Sequence, residues 1–358
     1  GDQVILIDYA RTWGTNAITI DSNGLNFQGS DDTYTVDYDT AGQALNLVYS
    51  GATVGWTPSS DIVNALEPVA PTIQKAIFGY GKTSSDVSLT NLVNSSGVVA
   101  TDVTGVGTAR NNLAASSYGG DKAIFGYGRT STQVSMTNLV NNSGVVATDV
   151  SGVGTARQSL AAASYGGDKA IFGYGTDSSL TNLVTNQGVV GNDVSGVGTA
   201  RNDLAAASYG GDKAIFGYGY YYSGGVVNYS LTNKVSNSGV VASDTTGVGT
   251  ARYLLAAAGY GGDKAIFGFG TTGSVTGLTN LVSNTGVVAS NVSAVGTARK
   301  GLAAAGYGGD KAIFGYGTTG SLTAITNLVN NSGVVASDVS GVGTAREKPA
   351  AAGFSYAA

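Results

Sequence analysis

Apolar and polar positions alternate over short runs throughout this chain. No segment sustains the 3.6-residue apolar period of an amphipathic helix. Runs at 4–7, 17–20 and 45–49 are separated by Asn-Gly, Gly-Ser and Ser-Gly turns, which predicts a small all-β module over residues 1–57. From residue 73 onward the pattern repeats. KAIFGYG starts at Lys75, Lys122, Lys169, Lys213 and Lys311, with KAIFGFG at Lys264, so the copies are spaced by 47, 47, 44, 51 and 47 residues. A second marker, G-x-G-T-A-R, ends at Arg110, Arg157, Arg201, Arg252, Arg299 and Arg346.

Each unit reads as four short strands. Strand a is LAAASY, strand b is KAIFGYG, strand c is LTNLV and strand d is VVATDV. In strand b, Ala, Phe and Tyr alternate with Lys, Ile and Gly. Gly-Gly-Asp joins a to b, and Asn-Ser-Gly or a close variant joins c to d. All four prolines (Pro58, Pro68, Pro71, Pro349) lie outside the repeat interiors, as hydrogen-bonded sheet requires.

Four strands in a unit of this length predict a blade of a β-propeller. A β-solenoid is the rival, with usually shorter coils. The first copy begins at strand b, and residues 349–356 (PAAAGFSY) read as a strand a with no strand b after it. Pairing the two would complete the first blade, whereas a solenoid would need caps. The reading is an all-β chain: a six-bladed propeller over 73–358, closed by a C-terminal strand. A Pro-containing linker at 58–72, with one helical turn at most, joins it to the small all-β module at 1–57.

The order A-R-x-x-L-A-A-A, K-A-I-F-G-Y-G, L-T-N-L-V resembles a kelch unit. The chain departs from that pattern, because its glycine pair is split as Gly-Tyr-Gly and the Trp of strand d is missing. The resemblance implies a kelch-like propeller and nothing about chemistry. Residues 1–57 are similar to a module of tail fibres in marine tailed phages, notably cyanophages. The residues that carry this are Gly1-Asp2, Ile7-Asp8, Asn16 before Ile18-Thr19-Ile20, Asn23-Gly24, Gly29, Leu47-Val48-Tyr49 and Gly55-Trp56. That resemblance implies a bacteriophage virion component. Its partners would be other fibre or tail subunits, with homotrimerisation through residues 1–57.

Composition narrows the chemistry. The 358 residues include 56 glycines, only 11% are charged, and His and Cys are absent. Without His or Cys there is no Ser-His-Asp or Cys-His machinery, no imidazole or thiolate metal ligand and no disulfide. A net charge of −5 with no basic patch argues against nucleic acid as a partner. No apolar run approaches the ~18 residues of a membrane helix, so membrane insertion is not expected. No cofactor or metal is expected either.

Recognition is left to the loops. The b–c loops vary (KTSSDVS, RTSTQVS, TDSS, YYYSGGVVNYS, TTGSVTG, TTGSLTA), as do the two residues after each repeated Arg, including Asn202-Asp203. Alternating strand direction places both on one face of a propeller, while the a–b and c–d turns hardly vary. The fourth loop is the sharpest feature, with Tyr220, Tyr221, Tyr222, Asn228 and Tyr229. Tyr253 and Asn202-Asp203 can extend it. Tyrosine rings stack on sugars and anchor protein partners. A longer hairpin whose tyrosines pack on neighbouring blades competes for the same residues.

The repeated Arg follows Asp102, Asp149, Asp193, Asp244, Asn291 or Asp338 by eight residues, which predicts an Arg–Asp or Arg–carbonyl clamp on the d–a turn. The remaining acids on the variable face (Asp86, Asp177, Asp203, Glu347) show no pairing suited to a glycosidase. The expectation is a non-enzymatic, virion-borne receptor-binding protein whose propeller face recognises a host-surface glycan or protein. A polysaccharide-degrading fibre and a host-encoded extracellular lectin-like propeller are the alternatives.

Overall fold

The computed structural model describes residues 2–29, 36–62, 73–293 and 295–355. Among them every regular element is a β-strand and none is a helix. The chain divides into two compact units, residues 1–71 and 72–358.

In the first unit, Gln3–Ile7, Ala44–Tyr49 and Trp56–Ile62 form an antiparallel sheet with Ala44–Tyr49 in the middle. Ile18–Ile20 pairs separately with Val36–Tyr38. The three apolar runs read from the sequence fall in these strands, except for Ala17, which precedes the strand Ile18–Ile20. The core is small, centred on Phe27, Tyr38, Leu45 and Leu47. The last strand runs past residue 57, so the first part of the segment read as linker is sheet. Pro58 fits there because it lies on an edge strand, opposite Leu47, where the register shifts. The rest of that segment, 63–72, lies outside the described residues. Asp8 organises the loop after the first strand by accepting N–H bonds from Thr12, Trp13 and Gly42 at 2.9–3.0 Å. Burial opposes its charge, but these donors outweigh it and hold its pKa below the usual range.

The second unit contains six three-stranded antiparallel sheets, each in the order a-b-c. The second sheet serves as the pattern: a is Ala114–Tyr118, b is Lys122–Gly126 and c is Thr137–Val140. Strand a alternates buried and half-buried residues. Strand b does not alternate as the sequence suggested. Ala123, Ile124 and Phe125 are all fully buried, because b is the central strand and both its faces are covered. Gly79 shows how tightly. A Cβ there would lie 2.7 Å from the Phe125 ring of the next sheet.

Segment d is not a fourth regular strand. It touches c through two isolated bridges per sheet, Val93↔Val99 and Thr90↔Val103 in the first. One extra residue between the bridges breaks the ladder. Asn91 on strand c fills the gap, donating its side-chain amide to the Ala100 carbonyl and the Asp102 carboxylate.

The first sheet takes its a strand from the C-terminus. Ala350–Phe354 pairs antiparallel with Lys75–Gly79, in the register Ala350↔Gly79 to Phe354↔Lys75. This is the pairing the sequence called for. Each a strand also neighbours the a strands before and after it, and Ala350–Phe354 lies between Ala303–Tyr307 and Ala114–Tyr118.

The six repeated arginines cement adjacent sheets. Arg110 is wholly buried. It donates to the carbonyls of Tyr127 (2.9 Å) and Thr108 (3.1 Å) and to Asn138 Oδ1 (2.7 Å). Its guanidinium lies over the Tyr80 ring of the preceding sheet, 4.4 Å from the centroid. Tyr80 in turn packs against Phe125, with centroids 5.1 Å apart, and donates its hydroxyl to the Val106 carbonyl. Burial pushes the equivalent Tyr127 and Tyr174 hydroxyls up to about 12.

Of the two clamps expected, the Arg–carbonyl one is formed, and the Arg–Asp one requires correction. Asp102, eight residues upstream, does not serve Arg110. It accepts from Thr344 (2.6 Å) and Asn91, beside Arg346. Arg110 is approached by Asp149 of its own sheet, at 4.0 Å. Most of the clamp is made of carbonyls, an asparagine and an aromatic ring.

Candidate functional site

The residue after each repeated arginine lies beside the b–c loop of its own sheet. Asn111 bridges Arg129, Asn202 bridges Tyr220, Tyr253 bridges Thr271, Lys300 bridges Thr318 and Glu347 bridges Lys82. The two sets of variable residues are therefore hydrogen-bonded to one another, at the end of the sheets opposite the a–b turns.

The fourth loop is a short hairpin. Tyr220–Tyr222 pairs with Val226–Asn228, and a turn at 223–225 joins them. Gly224 takes φ +70° there, a conformation glycine adopts without strain. Exposure rises toward the tip, where Tyr222 is 61% exposed beside exposed Val226 and Val227. At the base, the Tyr220 ring meets that of Tyr253 with centroids 4.9 Å apart. Burial raises the Tyr220 pKa first, and the nearby carboxylates of Asp203 and Asp177 add to it. Asn228 donates weakly to the Thr272 carbonyl (3.4 Å), while its buried Oδ1 has no partner.

The structure thus brings together Tyr220, Tyr221, Tyr222, Asn228 and Tyr253, and separates three other sequence candidates by role. Tyr229 closes the loop with a backbone bond to the Gly219 carbonyl, as Val87 and Val134 do in their loops. Asn202 is buried, and its amide is committed to Asp177, with bonds of 2.6 and 3.0 Å in the two directions. Asp86 is tied to Asn111 in the same way (2.6 Å). These acids join neighbouring sheets. Among the described residues, no group of three or more acids is arranged to hold a metal ion.

Asp203 sits apart, among the residues that precede the a strands. Asn112, Ser159, Asp203, Leu254, Gly301 and Lys348 occupy the same place in the six repeats, and all have φ between +48° and +61°. Their backbones form a chain of N–H···O bonds: Ser159 to Asn112, Asp203 to Ser159, Leu254 to Asp203, Gly301 to Leu254 and Lys348 to Gly301. Asp203 is half-buried at its surface, but protein packs densely around its carboxyl group. That burial drives its pKa up, against the opposing pull of the Ser159 hydrogen bond and the Lys348 charge. Leu254 and Lys348 were legible only as variable positions, because nothing local in the sequence tells that residues some 47 positions apart meet.

No model of a known protein family matches the chain, and no curated protein is similar to it.

Proposed function

We propose that the six sheets are the blades of a kelch-like β-propeller closed by the C-terminal strand, and that the chain is a receptor-binding protein of a tailed-phage virion. In this reading the first unit joins the propeller to other fibre or tail subunits, as a trimer. The propeller binds a host-surface glycan or protein and performs no catalysis. The pairing of Ala350–Phe354 with Lys75–Gly79, and the succession of a strands, support the ring. The virion assignment rests on the resemblance of residues 1–57 to marine phage fibres read from the sequence motifs alone.

The observation that carries the binding role is the tyrosine hairpin. Tyr222, Val226 and Val227 stand exposed at its tip, and the Tyr220 and Tyr253 rings meet at a tilt at its base. Aromatic rings beside hydrogen-bonding groups suit the apolar faces and hydroxyls of a sugar, and equally a protein hot spot. A rigid scaffold with one variable face is also how a receptor binder is built.

The test is replacement of Tyr220, Tyr221 and Tyr222 by Ser, followed by measurement of binding to marine cyanobacterial cells and to a glycan array. Binding should fall at least tenfold, equivalent to about 1.4 kcal/mol, with cooperative melting retained. Undiminished binding by the folded variant would place recognition elsewhere.

A further inference from the structure

A cavity of about 70 Å³ opens among the starts of all six a strands. Its inner wall is repetitive, made of Leu113, Leu160, Leu204, Leu255, Leu302 and Pro349. Its rim is not. The six equivalent positions carry six different residues: Asn112, Ser159, Asp203, Leu254, Gly301 and Lys348. The fold needs a left-handed backbone there, which glycine supplies without strain, yet five of the six positions keep a side chain at a cost of about 1 kcal/mol each.

The order of the a strands fixes how these residues face one another. Asp203 and Lys348 are three places apart in a series of six, so they oppose each other across the rim. Asn112 and Ser159 lie between them on one side, Leu254 and Gly301 on the other. One arc is polar with opposite charges at its ends, and the other is apolar. Among the described residues, neither Asp203 nor Lys348 belongs to an ion pair at contact distance. Asp203 has the Ser159 hydrogen bond but no cation at contact distance, and a bound cation stabilises a crowded carboxylate.

We propose that this rim binds a small zwitterion of the amino-acid class, with its ammonium group at Asp203 and its carboxylate at Lys348. A simple amine would meet the repulsion of Lys348, and a simple acid that of Asp203. The volume admits a few waters or one small solute, not an oligosaccharide. Ser159 and Asn112 can hydrogen-bond the ligand along the polar arc, while Leu254 covers its carbon chain. The site is independent of the receptor-binding reading and involves none of the hairpin residues.

The experiment is calorimetric titration of the whole chain with glycine, β-alanine and 4-aminobutyrate, which separate the same two charges by increasing distances. Methylammonium and acetate serve as single-charge controls. At least one zwitterion should bind at one site per chain, and at least tenfold more tightly than either control. D203N and K348M should each weaken it at least tenfold. L254F, which narrows the cavity and leaves both charges in place, should weaken it as well. Tyr222→Ser should not change it. Absence of saturable binding by all three zwitterions would overturn the proposal, as would undiminished binding by a folded D203N or K348M. The titration of the unmodified chain decides the matter even if a variant fails to fold.

Discussion

Arg110 is tolerated in full burial because each of its three guanidinium nitrogens has an acceptor and the guanidinium face rests on an aromatic ring, whereas in the equivalents Arg252 and Arg299 Nη2 is left without one. The carboxylate beside each is tuned by the same hydrogen bonds. Burial alone would raise the pKa values of Asp102, Asp149, Asp193, Asp244 and Asp338, but bonds from a Thr and an Asn outweigh it and hold them low. A carboxyl group whose pKa is lower folded than unfolded stabilises the fold above its unfolded pKa, and that contribution is lost as pH falls through the folded value. Five such groups predict a steep loss of melting temperature below about pH 4. The fifth repeat has neutral Asn291 in this place, bonded to Thr250. Asn291→Asp should therefore add about 1 kcal/mol at pH 7 and less at pH 3, read from melting curves at the two pH values. An equal gain at both would contradict the role given to these carboxylates. The arginine was legible as structural from its six copies. So was the carbonyl clamp, but the nearby carboxylate was not, since Asp149 lies 39 positions away, farther than a spacing of eight suggested.

At the scale of elements, strands a, b and c were legible because their apolar runs end at glycine turns. Segment d was misread. Its valines have strand character, but an extra residue and the Asn91 side chain replace half of the ladder. Strand b was misread in a different way. Alternation assumes one wet face, and stacking between sheets leaves it none. The C-terminal strand was legible from the missing member of the first repeat, and it makes a complete five-residue register with Lys75–Gly79. Deleting residues 349–358 would leave that b strand with an unpaired edge and expose Ile77 and Phe78, both fully buried. The truncated chain should lose its single cooperative unfolding transition in calorimetry. Unchanged melting would refute the pairing as the element that holds the two ends of the repeat array together.

Across the whole molecule, one end of the sheets is uniform and the other is varied. The a–b turns repeat a single Gly-Gly-Asp motif, while the b–c loops and the residues before strand a differ in every copy and bond to each other. The sequence disclosed this asymmetry and singled out the tyrosine loop, because YYY followed by SGG is a local signal. It could not disclose the rim around Asp203, which exists only once six distant segments converge. The account rests on the varied end being the surface that meets the host. Backbone hydrogen exchange, measured on the chain alone and when bound to cyanobacterial cell envelopes, tests this most directly. Protection is predicted over residues 220–229, around Tyr253 and in the neighbouring b–c loops, with the a–b turns unaffected. Protection confined to the Gly-Gly-Asp turns, at the opposite end, would contradict it.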